Sequence, residues 1–81
     1  MGYHKNKIPK GTIKEFSKIE EEFLELKDAQ EQNCKILILN EITDIIGAIE
    51  EYSEHHFNIS LNDLIQMKNL TKQAFLEGTR K

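Results

Sequence analysis

The sequence predicts an all-α protein of three helices. The first two form an antiparallel helical hairpin, and copies of the chain assemble into a multi-helix bundle as a dimer or tetramer. Three observations predict this. Apolar residues recur at spacings of three and four along most of the 81 residues. No strand pattern of useful length interrupts them, because the helical register runs straight through the apolar run Ile36 to Leu39. The middle segment is also apolar around most of its girth, more than so short a chain can cover by itself.

Residues 1–11 read as an irregular basic arm, with Lys5, Lys7, Lys10, Pro9 and two glycines. A single helical domain is expected over 12–78, followed by a basic tail at 79–81. Thr12 is expected to open the first helix, since Thr12-Ile13-Lys14-Glu15 has the spacing of a capping box. Ile13, Phe16, Ile19, Phe23 and Leu26 then mark one face, and Asn33 ends the helix. The second helix is expected from about Lys35 to Glu54. Ile36, Leu37, Ile38, Leu39, Ile42, Ile45, Ile46, Ile49 and Tyr52 spread over several of its sides. Gly47 within it costs about 1 kcal/mol against alanine, which close approach of a neighbouring helix would offset. A connection from His55 to Ile59 leads to Ser60, which caps a third helix carrying Leu61, Leu64, Met67, Thr71, Ala74 and Phe75. Gly78 provides its stop.

Composition narrows the function. A net charge of −3 with no basic stripe outside the tails argues against a nucleic acid polymer as partner. The lysine-bearing N-terminus lacks the apolar stretch of a signal peptide. Charges break the apolar runs well short of membrane-spanning length, so a soluble, cytoplasmic protein without a membrane partner is expected. Cys34 is the only cysteine, which excludes an intrachain disulfide and a thiolate metal site. A bound cation or a second copy of the chain is left as the extra source of stability for so small a domain.

Two acidic pairs, Glu22 with Glu25 and Glu41 with Asp44, are each spaced three apart, so each helix can aim two carboxylates at one point. If the helices pack antiparallel, the pairs face one another and form a hard oxygen site suited to Mg²⁺, with Mn²⁺ as the alternative. Other acidic residues, among them Glu20, Glu21, Glu50, Glu51 and Glu54, read as solvated helix faces. Glu41 does not. At about 100° per residue it falls among Leu37, Ile45, Ala48 and Tyr52, inside the apolar arc. A carboxylate there must be protonated, paired or bound to a cation, and no lysine or arginine of its own helix shares that arc. Ordinary ion pairing remains open beside metal binding.

Glu21-Glu22-Phe23-Leu24-Glu25-Leu26, followed by Glu41-Ile42-Thr43-Asp44-Ile45-Ile46, resembles the ExxE and ExxD signature of the MazG-like, all-α nucleoside triphosphate pyrophosphohydrolases. The resemblance covers about residues 12–54 and is nearest to the short single-domain phage or bacterial type. It implies oligomeric helical assembly and Mg²⁺-dependent cleavage of a nucleoside triphosphate to the monophosphate and pyrophosphate. A phage-encoded member would act in the host cytoplasm. The resemblance also implies Glu22, Glu25, Glu41 and Asp44 as metal ligands. From its position alone, Glu25 is the candidate to orient the attacking water or take its proton.

Phosphates need cationic donors. Lys18, one turn before Glu22, is a candidate, as are Lys68, Lys72 and Arg80, although solvated surface residues fit the same positions. Tyr52 continues the Glu41 face and is a candidate to bound a base, against the plainer reading of a core tyrosine. His55 and His56 read as a helix C-terminal pair. The arm lysines, Lys5, Lys7 and Lys10, are further candidates to close over phosphates from a neighbouring copy, although nothing in the arm's sequence requires it. The alternative to an enzyme is a non-catalytic helical oligomerisation or interaction module, in which the apolar second helix docks on a partner.

Overall fold

The computed structural model describes residues 4–76, without the side chains of Ala74 and Phe75. Three helices follow in order: α1 over Phe16–Gln32, α2 over Lys35–Phe57 and α3 over Leu61–Leu76. The described residues contain no strand. Gly78, Arg80 and Lys81 lie outside the described residues.

Asparagines stop two of the helices. Asn33 has φ 57° and Asn58 φ 56°, the left-handed conformation that asparagine tolerates better than most residues. The Asn33 amide donates to the Gln30 carbonyl at 3.0 Å, and the Asn58 amide to Glu54 at 3.1 Å. The Ile59 amide reaches back to the Ser53 carbonyl at 3.3 Å, which completes a Schellman-type end. The second helix therefore runs three residues beyond the expected Glu54, and the connection to α3 is only 58–60. Ser60 caps α3 as expected. Its hydroxyl accepts from the Asp63 amide at 3.1 Å, and the Asp63 carboxylate accepts from the Ser60 amide at 3.3 Å.

The capping box expected at Thr12 does not form. Lys14 adopts φ 76°, which breaks the helical path, and α1 begins only at Phe16. The Thr12 amide donates to the Ser17 hydroxyl at 3.0 Å, and the Thr12 carbonyl accepts from the Glu15 amide. Glu15 sits at the N-cap without a side-chain cap, because its carboxylate turns to His56 across the hairpin at 3.3 Å. That pair and the Phe16 and Tyr52 rings, 6.0 Å apart, bridge α1 and α2 in their antiparallel register.

The packing is thin. Ala29 and Ala48 are the only buried apolar residues among the described residues. Ile36 is 80% exposed, and Leu39, Ile42, Ile46 and Ile49 are all substantially exposed along α2. The third helix packs on α2 and not on α1. Among the described residues, nothing lies within 4 Å of the position a β-carbon would take at Gly47, so the close helix contact expected there is not made.

Candidate functional site

The antiparallel register brings the two acidic pairs together. Glu22, Glu25, Glu41 and Asp44 each place one carboxylate oxygen within 4.8 Å of the others. Glu22 and Glu41 are buried, Glu25 is half-buried and Asp44 is exposed at the rim. Two like charges at that separation repel by roughly 3.5 kcal/mol at an effective dielectric near 20. Few neighbours offset this. The Lys18 ammonium lies 3.2 Å from Glu22 but also 3.1 Å from Glu21. The Glu22 Oε1 and Glu41 Oε1 atoms are buried and accept no hydrogen bond.

Without a cation, such a site retains a proton. Burial first, and then the neighbouring Glu22 charge, pushes the Glu25 carboxyl up to about 8. Burial also raises Glu41, with the Asp44 and Glu22 charges adding to it, although a hydrogen bond with Glu25 and the His4 ring work the other way. These donors fit a hard divalent ion: carboxylate oxygens in excess over local cations, two of them buried and unsatisfied.

The N-terminal segment closes one side of the site, through residues that periodicity does not single out. Asp28, buried on α1, accepts from the backbone amides of Lys5 at 2.9 Å and Asn6 at 3.1 Å. It also accepts from the Asn6 side chain at 2.7 Å and from Gln32 at 3.0 Å. Burial would raise its pKa, but these donors outweigh burial and hold it at about 2. His4 Nδ1 lies 3.0 Å from the same carboxylate, while His4 Nε2 faces Glu41 at 3.5 Å and Glu25 at 3.8 Å. Glu21 is not the solvated residue expected. It is buried under the arm, where the Gly11 amide donates to it at 2.8 Å and Lys18 at 3.1 Å. Burial would raise Glu21 too, but these two donors hold its pKa below the usual carboxylate value.

A cleft of about 680 Å³ opens beside the cluster, lined in part by His4, Lys10, Asn40 and Cys34. Cys34 is exposed at the N-cap of α2. Of the other candidates, Lys18 stands at the cluster through its pairing with Glu22. Tyr52 does not line the cleft; it lies in a group of rings with Phe16, His56 and Phe57. Lys68 and Lys72 are exposed on α3 and do not line it either. Arg80 lies outside the described residues. No helix is long and apolar enough to cross a membrane among the described residues. Compared with family models, with curated proteins and with solved structures, the chain finds no match.

Proposed function

We propose that this protein hydrolyses a nucleoside triphosphate to the nucleoside monophosphate and pyrophosphate, using a divalent cation, Mg²⁺ or Mn²⁺, held by Glu22, Glu25, Glu41 and Asp44. The observation that carries this reading is the convergence of four carboxylates from two antiparallel helices, two of them with buried oxygens that accept nothing. Their order along the chain is that of the ExxE and ExxD motifs. A bound cation would neutralise the polyphosphate and acidify a bound water. Glu25 is half-buried between the cluster and the cleft, a position from which it can orient that water or accept its proton. Lys10 on the cleft wall supplies a cationic donor for phosphate oxygens, and Lys18 tethers Glu22.

Self-association belongs to the same reading. The large apolar side chains left exposed on α1 and α2 are the surface a second copy would cover in a dimer or tetramer. Purified protein incubated with a nucleotide panel and Mg²⁺ or Mn²⁺ should release pyrophosphate. A folded protein that releases none from any nucleotide with either ion overturns the reading.

The same exposed apolar face of α2 favours a second reading, a non-catalytic interaction module. Mg²⁺ with nucleotide raises the melting temperature of an enzyme with this site and leaves that of a module unchanged.

A further inference from the structure

We propose that His4 is a ligand of the cation, so that Glu25 and Glu41 share it with an imidazole nitrogen and the site prefers a transition ion such as Mn²⁺ to Mg²⁺. This rests on reading the carboxylates as a cation site. It adds a donor that the acidic motifs do not contain.

The Asp28 carboxylate is buried and accepts from two backbone amides and two side-chain amides, the set of partners that an ionised carboxylate gathers. An ionised carboxylate can only accept. The 3.0 Å contact with His4 therefore requires the proton on Nδ1. Carboxylate, imidazole and metal recur in this order where a histidine binds an ion through its other nitrogen, because the carboxylate fixes both tautomer and ring orientation.

The far side of the ring agrees. His4 Nε2 lies 3.5 Å from Glu41 Oε2 and 3.8 Å from Glu25 Oε1. A charge-assisted hydrogen bond would be about 2.7–2.9 Å long, so neither contact is one. Ligand atoms that share an ion at about 2.0–2.2 Å stand about 3–4.4 Å apart, and both separations fall in that range. One ligand atom from each of His4, Glu25 and Glu41 lies within 4.8 Å of the other two. Glu41 Oε1 is buried beside them with no donor of its own. Imidazole favours transition ions over magnesium, whereas a purely carboxylate site does not discriminate in that way.

The arm explains how a residue so distant in sequence arrives there. The Lys5 and Asn6 amides fix the backbone immediately after His4 on the same carboxylate that orients its ring. One buried side chain therefore anchors the segment and aims the ligand.

The test is spectroscopic. Untagged protein loaded with Mn²⁺ should show electron spin echo modulation from a directly coordinated ¹⁴N. His4→Ala should lose that modulation. A His55→Ala/His56→Ala double variant should keep it, which excludes the exposed Glu15, His55 and His56 group as its source. Calorimetric titration should show Mn²⁺ affinity falling roughly tenfold or more in His4→Ala, with Mg²⁺ affinity changed far less. His4→Gln, which retains a polar side chain, should behave like His4→Ala. Bound Mn²⁺ without nitrogen modulation in the wild-type protein overturns the proposal while leaving the four-carboxylate site intact. Failure to bind Mn²⁺ at all overturns both, and pyrophosphate release measured in parallel reports on the proposed reaction separately.

Discussion

The Gly11 amide donates a 2.8 Å hydrogen bond to the buried carboxylate of Glu21. At that point the arm runs so close to the start of α1 that a β-carbon on Gly11 would collide with the Ser17 carbonyl. Together with the contacts around Asp28, this ties the arm to α1 at two places, with His4 beside one and Lys18 beside the other. The segment before α1 is therefore a wall of the candidate site.

Gly11→Ala should destabilise the protein by about 1–3 kcal/mol, the usual cost of overpacking a closed contact. The collision is with backbone, which cannot swing aside as a flexible side chain can. Chemical denaturation of the variant measures the loss. Protection of the Gly11 amide from hydrogen exchange should fall with it, and an unchanged unfolding midpoint would show that the arm does not rest on α1 in solution.

Stability should also carry a distinct pH signature. Glu25 has its folded pKa raised to about 8. The folded state then binds more protons than the unfolded state, so stability falls as pH rises from about 4.5 to about 8. Asp28 acts in the opposite sense: its pKa is lowered from 3.8 to about 2, so its contribution is present above about 3.8 and is lost as pH falls towards 2. Cation-free protein should therefore be most stable near pH 4–5. Thermal melts across pH in the presence of a chelator test this. Saturating Mn²⁺ should flatten the decline between pH 5 and 8, with proton release on binding measured by calorimetry in buffers of different ionisation enthalpy.

Periodicity was sufficient for the hairpin and for the acidic cluster, because both depend on spacings of three and four along two helices. Glu41 is the clearest instance: its place inside an apolar arc is visible on a helical wheel, and it is buried. The arm was not legible in this way. Asp28 is one acidic residue among many on α1, and only the fold reveals that backbone amides more than twenty positions earlier converge on it. Glu21 has a solvated residue's pattern and is buried where the arm and Lys18 meet it. The Thr12 signature is a local preference. Once Ser17 accepts the Thr12 amide and His56 takes up the Glu15 carboxylate, it has nothing left to bond.

Gly47→Ala should stabilise the protein by about 1 kcal/mol. The added methyl meets nothing within 4 Å, and alanine is the better helix former. The variant is informative in both directions. If another copy of the chain closes on this part of α2, the methyl should instead weaken the assembly. Melting temperature measured over a range of protein concentrations distinguishes a gain within the monomer from a loss at an interface.

Glu41→Gln should separate stability from function. Its carboxylate is buried beside Glu25 and Asp44, where burial and the Asp44 charge penalise its ionised form. Removing the charge relieves that repulsion and lets Glu25 ionise at a lower pH. In the absence of metal, the variant should therefore melt no lower than the wild-type protein near pH 7, and its decline in stability with rising pH should be shallower. Cation affinity should move the other way, falling at least tenfold with the loss of a charged ligand, and pyrophosphate release should fall below detection. A variant that melts well below the wild-type protein under chelation would mean that the Glu41 charge is held by a structural ion pair, most directly with His4 at 3.5 Å. The excess of carboxylates would then be a feature of folding and not a seat for an ion.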